Sequence, residues 1–212
     1  MILCPNCGTR TKEQITIYND KLRKQNFGHT PILPTCNECN SIVDISHLCV
    51  GGSIIVLTGT CGSGKSTVAE LMEREGFMAI DGDCAIQSAK YKRNGEKVDY
   101  RELIDEIANE IDIVSLYSKN IVLASVIHPE DIDKYKNMFE ARNLKYKFIL
   151  LKPSYETVLQ RCQTRTCHKS VTPEYWIDYF YNLLVFNDEV EVIDSSDMTI
   201  DETVEYIVKK YI

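Results

Sequence analysis

No apolar run in this chain is long enough to cross a membrane; the stretch around residues 54–57 falls far short of the roughly 18–20 residues a bilayer demands. Tryptophan occurs once, proline six times and glycine ten times in 212 residues. Apolar and aromatic content is nonetheless normal and there is no long polar tract, so intrinsic disorder is excluded. An excess of positive charge is also missing: 24 Lys and Arg stand against 31 Asp and Glu, a net charge of −7. From Gly52 onward the count is 19 against 27, a net of −8, which argues against long nucleic acid as a partner and for a small molecule. The opening MILCPNCG has no basic segment leading into an apolar one, so the expected location is cytoplasmic. Cysteine is what the chain has in quantity, nine in all. In a reducing compartment these are metal ligands, catalytic groups or small core residues rather than disulfides.

Four cysteines fall into two equally spaced pairs, Cys4-Pro-Asn-Cys7-Gly and Cys36-Asn-Glu-Cys39-Asn. Each Cys-x-x-Cys sets two thiolates on one tight turn, where Gly8 and Asn40 can take the left-handed backbone such a turn needs. Together Cys4, Cys7, Cys36 and Cys39 supply a tetrahedral shell for Zn²⁺. Between them, residues 14–18 and 31–34 read as short strands of a hairpin. Residues 1–48 resemble a zinc ribbon, and the CPxCG form of the first knuckle is the specific part. The metal is expected to replace a core that so short a segment cannot build. Five basic against four acidic residues here make no phosphate-binding stripe. His29 and His47 are read as ordinary polar residues.

After a linker at Val50-Gly51-Gly52, residues 53–57 form a β-branched apolar run, as in a buried parallel strand. It leads straight into Gly59-Thr60-Cys61-Gly62-Ser63-Gly64-Lys65-Ser66, a full match to G-x-x-x-x-G-K-[ST]. A helical pattern follows, with Val68, Leu71 and Met72 on one face. The glycines permit the turn and bring backbone N–H groups to phosphates, and the helix N-terminus adds partial positive charge. Lys65 is expected to reach the β- and γ-phosphates and the Ser66 hydroxyl to sit on Mg²⁺. The expected set for ATP is Gly59, Thr60, Cys61, Gly62, Ser63, Gly64, Lys65, Ser66 and Thr67.

A second strand over residues 77–80 ends in Asp81-Gly82-Asp83, where strand carboxyl ends face a ligand crevice. Two carboxylates there divide the labour: one for Mg²⁺, the other to accept a proton from a substrate hydroxyl. The residues alone leave open which does which. A helix over residues 100–119 precedes a third strand over 121–126, which ends without an acid and so departs from the Walker-B pattern. Pro129-Glu130-Asp131 reads as a helix start, with His128 as a polar cap. A fourth strand over 146–151 closes at Pro153, and Ser154 caps a helix carrying Arg161 and Arg165 on one face. Residues 166–172 make a short lid, where Cys162, Cys167 and His168 lack a fourth metal ligand. Tyr175, Trp176, Tyr179 and Phe180 read as the packed face of an amphipathic helix. A fifth strand over 190–194 and a helix over 200–211 complete the order expected of a doubly wound α/β fold.

With these motifs in place, residues 53–212 resemble the nucleoside/nucleotide-kinase-like group of P-loop phosphotransferases, which includes shikimate, gluconate and adenylate kinases. The resemblance implies a doubly wound parallel sheet of the P-loop NTPase kind behind a small zinc-ribbon domain. It implies transfer of the γ-phosphoryl of Mg-ATP to a nucleoside, nucleotide or other small molecule bearing a hydroxyl or phosphate. It further implies Asp83 as base, Asp81 as the metal-side carboxylate with Ser66, Arg161 against adenine and Arg165 on phosphates. The implied catalytic set is Lys65, Asp81, Asp83 and Arg165. The acceptor is expected to meet residues 84–116, where Lys90, Lys92, Arg93 and Arg101 offer charge to an anionic group. Two rival readings are a nucleic-acid end kinase docked through the ribbon and a non-enzymatic ATP sensor. The acceptor's identity and the oligomeric state are left open.

Overall fold

The computed structural model describes residues 4, 6–8, 15–16, 35–36, 38–39, 41, 51–83, 100–115, 118–164 and 172–211. Near the N-terminus, β1 (Ile15–Thr16) and β2 (Thr35–Cys36) pair antiparallel, with Ile15 opposite Cys36. An antiparallel pairing is thus present between the two cysteine pairs, and the expected strand over 31–34 lies outside the described residues.

From residue 52 the elements run β3 (Gly52–Thr58), α1 (Lys65–Met72), β4 (Met78–Asp81), α2 (Tyr100–Val114) and β5 (Asn120–Ala124). They continue with α3 (Ile132–Glu140), β6 (Leu144–Leu151), α4 (Tyr155–Thr164), α5 (Glu174–Leu183), β7 (Val190–Ile193) and α6 (Ile200–Tyr211). The order is the one the sequence patterns predict. At α4 the expected cap is made: Thr157 N–H donates to Ser154 Oγ at 3.2 Å.

Strands β3 to β7 form one parallel sheet in the order β4-β5-β3-β6-β7. Because β3 is central, Ile54, Ile55, Val56 and Leu57 are all buried. Alternate residues serve opposite faces of the sheet. Ile54 and Val56 of β3, Ile121 and Leu123 of β5, and Phe148 and Leu150 of β6 pack with Ile107, Ile111, Tyr135 and Phe139 of α2 and α3. Ile55, Leu57, Val122, Ala124, Ile149 and Leu151 meet Val68 and Met72 of α1 and Val204 and Ile207 of α6. Helices on both faces of a parallel sheet make the fold doubly wound.

One polar contact clamps α2 to the turn before β6. Arg142 donates from Nε to Asp112 Oδ1 at 2.7 Å and from Nη2 to Oδ2 at 3.0 Å, and the Asp112 side chain is buried. Removing the arginine leaves that carboxylate charged and alone. Arg142→Met is therefore expected to destabilise the fold by about 3–5 kcal/mol in urea melts. Adding Asp112→Leu should recover much of the loss, because the unpaired charge goes with it.

Candidate active site

The glycine loop is built where β3 leaves the sheet. Leu57 O accepts the Ser125 N–H at 3.1 Å and Thr58 Oγ1 accepts the Ile127 N–H at 3.0 Å, tying the segment after β5 to the loop's root. At Gly59 (φ +149°) a Cβ would lie 2.5 Å from Leu151 O and 2.6 Å from Ser63 Oγ. At Gly62 (φ +78°) it would lie 2.7 Å from Cys162 Sγ and 2.9 Å from Val158 O, so α4 packs directly on the loop. Cys61 joins the same contact, against Val158, Cys162 and Ile177.

Several features suit this loop to an anion. Ser63 Oγ is buried with no hydrogen-bond partner among the described residues. The N-cap of α1 is Gly64, without a side-chain cap bond, and no acid occupies the first turn. Uncapped helix N–H groups beside a buried hydroxyl are an anion's natural partners. Lys65 Nζ donates to Thr60 O at 3.0 Å, so its ammonium curls back across the loop. Ser66 and Thr67 are exposed at the start of α1.

Strand register brings in the carboxylate. Asp81 lies opposite Ala124, and Ala124 opposite Leu57, so β4, β5 and β3 end in one row. The Ser66 hydroxyl and the Lys65 charge both act on the Asp81 carboxyl and favour its ionised form. Asp83 donates its backbone N–H to Asp81 Oδ1 at 2.8 Å while its own side chain is exposed. Burial is the largest influence on Asp81 and pushes its pKa above the usual carboxylate range, with the Asp83 charge acting in the same direction. The Asp83 N–H, Ser66 and Lys65 oppose it. A hydroxyl and a desolvated carboxylate side by side are hard oxygen donors that fit Mg²⁺.

The other expected site residues divide. Arg161 donates from Nη2 to Ser195 O at 3.3 Å, joining α4 to the loop after β7. Arg165, Lys90, Lys92, Arg93, Cys167 and His168 lie outside the described residues, as does the side chain of Arg101. His128 stands at the N-cap of the turn Pro129–Asp131 but makes no side-chain cap bond, against expectation. Its ring instead meets Phe180 edge-on, with centroids 5.8 Å apart. The aromatic face of α5 is also not packed as expected: Tyr175, Trp176 and Tyr179 are exposed. Ile177 and, just past the helix, Leu184 are buried in their place, seven positions apart on one side.

At the N-terminus the ligand atoms of Cys4, Cys7, Cys36 and Cys39 all lie within 4.8 Å of one another. Cys4 Sγ is 3.6 Å from Cys39 Sγ, and Cys7 Sγ is 3.5 Å from Cys36 Sγ. Four sulfurs at 2.3 Å from a tetrahedral centre are separated by about 3.8 Å, so the donor set fits Zn²⁺. The Gly8 N–H to Cys4 O bond (3.0 Å) closes one knuckle and the Cys36 N–H to Ser41 O bond (2.9 Å) the other. Sequence reasoning overlooked Ser41, two residues beyond the second pair. Its hydroxyl lies 3.3 Å from Cys4 Sγ and 3.0 Å from Cys39 Sγ. That hydroxyl is the main reason the Cys4 thiol is lowered to about 6 and Cys39 lowered as well. Thiolate is the form zinc takes.

Residues 55–176, running from within β3 into α5 and making up more than half of the chain, match the AAA domain family. The chain belongs to this family. Over 103 residues the chain is 28% identical to dephospho-CoA kinase of Streptococcus pneumoniae (strain ATCC BAA-255 / R6). The aligned part is 48% of this chain and 49% of that relative, so the chain spans about half the relative's length. Among solved structures, the tunicamycin resistance protein of Deinococcus radiodurans superposes with a TM-score of 0.60 at 16% identity, over 75% of this chain and 95% of that one. A gluconokinase from Sinorhizobium meliloti 1021 does so with a TM-score of 0.52 at 20% identity, over 73% and 87%. These likenesses establish the P-loop NTPase fold of this AAA domain.

The Asp81 environment has a measurable consequence in metal-free protein. A carboxyl whose pKa rises on folding contributes stability below its ordinary pKa and loses it as pH climbs through the raised value. With chelator present, Asp81→Asn is expected to melt at a higher temperature than the parent at pH 8. The variant should also show a flatter dependence of Tm on pH between 4 and 8.

Proposed function

We propose that the chain is an ATP-dependent phosphotransferase that moves the γ-phosphoryl group of Mg-ATP to a hydroxyl or phosphate of a small molecule. One observation carries this reading: Asp81, a carboxylate at the end of β4, stands where Lys65 and Ser66, the last residues of the phosphate loop, both act on its charge. Motor and GTPase patterns draw that carboxylate from the strand beside the loop strand. Here β5 is followed by Ser125 in that place. The partial match to a dephospho-CoA kinase and the fold shared with a gluconokinase support the same class of chemistry.

In this reading the loop N–H groups, Ser63 and Lys65 hold the phosphates, and Ser66 with Asp81 holds Mg²⁺. Bound there, the ion neutralises charge on the transferring group. Asp83, exposed beside Asp81, accepts the proton of a hydroxyl acceptor. Arg161 stacks on adenine, for which a guanidinium plane is suited, and Arg165 grips phosphate oxygens. Catalysis is then mainly positioning and charge stabilisation.

Residues 1–48 form a zinc ribbon and residues 53–212 the phosphotransferase domain. A filled four-thiolate shell leaves no open position for water, so the zinc is structural. A reducing, cytoplasmic setting suits thiolates kept available for metal. No helix among the described residues is long and apolar enough to cross a membrane.

Nucleosides, nucleotides and sugars screened for stimulated ADP release should reveal an acceptor, and Lys65→Met should lower that turnover at least about 100-fold while the chain stays folded. Undiminished turnover in the variant would overturn the reading. Separately, chain prepared under reducing conditions should carry one tightly bound zinc. Cys36→Ser should lose the metal yet still bind Mg-ATP, and clearly substoichiometric zinc in the parent would remove the ribbon.

A further inference from the structure

The surface of α5 carries a group of aromatic rings that the fold does not require. Tyr175, Trp176 and Tyr179 are 64%, 43% and 49% exposed, although they lie within five residues of one another. They are joined into one array through Phe180. Trp176 stacks on Phe180 with centroids 5.8 Å apart and planes 21° apart, and Tyr179 meets both rings edge-on at 5.9 and 5.1 Å. Tyr175 adds a tilted contact to Trp176 at 5.2 Å. The helix is already anchored from its other side by Ile177, which packs with Val158 and Cys162. A contiguous exposed aromatic patch of this kind marks a place where something binds.

Two contacts fix the array at the rim of the candidate active site. Thr60 of the phosphate loop donates Oγ1 to Ile177 O at 3.5 Å, within one turn of Trp176 and Phe180. His128 meets Phe180 and follows β5, whose next residue, Ser125, abuts Gly82 between the two acids. The array therefore borders the β5–β4 side of the loop. Arg161, the proposed adenine contact, and its hydrogen-bond partner Ser195 belong to the β6–β7 side. The α5 sequence EYWIDYFYNL holds Glu174 and Asp178 and no basic residue, so this face favours a neutral ring over an anionic group.

We propose that Trp176 and Tyr179, backed by Phe180 and edged by His128, are the stacking platform for the phosphoryl acceptor. The acceptor therefore carries a planar aromatic ring of the nucleobase class. The inference rests on the phosphotransferase reading above and narrows its acceptor. Aromatic rings extend an offset stack with another planar ring, and the imidazole edge supplies a hydrogen-bond partner for a ring heteroatom.

Trp176 is the sole tryptophan of the chain, so native fluorescence reports on the platform directly. The full chain, saturated with a non-hydrolysable Mg-ATP analogue, is titrated with adenosine, uridine and their monophosphates, and in parallel with gluconate and glucose. Ring-bearing compounds should quench emission saturably and the ring-free ones should not. By calorimetry, Trp176→Ala should weaken binding of the quenching compound about tenfold, with Trp176→Phe restoring most of it and affinity for the ATP analogue unchanged. Equal quenching by the ATP analogue alone would assign the platform to the donor and overturn the proposal. Turnover of a ring-free acceptor with an unaltered KM in Trp176→Ala would overturn the platform and keep the transferase. Ring-dependent quenching without ADP formation from any compound would keep the platform and defeat the transferase reading.

Discussion

A strand buried on both faces and hydrogen-bonded along both edges has no freedom left, and β3 is that strand. It pairs with β6 from residue 52 to residue 58 and with β5 from residue 53 to residue 57. The loop that follows inherits this fixed root and is pressed from above by α4, with Cys162 and Val158 against Gly62. A phosphate-binding loop works by holding N–H groups where charge will be, without reorganising at the moment of reaction. The packing of an apolar strand is thus the origin of the site's electrostatics. Register carries the same order sideways, because three adjacent strands stopping in one row deliver Asp81 to the level of Ser66.

That delivery has a cost. Asp81 is a carboxylate whose charge burial disfavours, and its nearby donors offset the penalty only in part. A fold selected for stability alone would place an amide or an alanine there. Retaining the acid makes sense if a cation completes it, since the same desolvation that penalises a lone carboxylate strengthens its attraction to a divalent ion. Ser41 solves the analogous problem at the cysteine knuckles. One hydroxyl near two sulfurs favours their anionic forms, as an incoming zinc requires.

What the sequence disclosed follows from how local each signal is. The glycine loop, the cysteine knuckles and the Ser154 cap are set by neighbours a few residues apart; the loop and the cap appear as read, and the four knuckle sulfurs stand together. The five strands and their order were also legible, since apolar runs between helical patterns leave few alternatives. The pairing of Asp81 with Ser66 was readable only as two candidates for the same ion, because their adjacency depends on a register between strands far apart in sequence. Periodicity likewise marks α5 as having apolar faces without saying which one is inward. Ile177 took the core position, and the aromatic residues on either side of it were left in the open. His128 was misread for the same reason: its partner Phe180 is 52 positions away and reaches it only through the docking of α5.

Charge explains how such a site selects its ligands. From residue 52 onward, 19 basic residues face 27 acidic ones, so the domain's overall field repels a bare polyanion. Attraction has to be local: the N-terminus of α1 and Lys65 act within a few ångströms and are felt only by an anion already at the loop. On the opposite side the described residues Asp81, Asp83, Glu174 and Asp178 give nothing to a second anionic group, and the rings of α5 offer contact that needs no charge at all. A nucleotide gripped by its phosphates on one side and a neutral ring held by stacking on the other is the arrangement this distribution favours. It brings two molecules together without asking one basic surface to accommodate both.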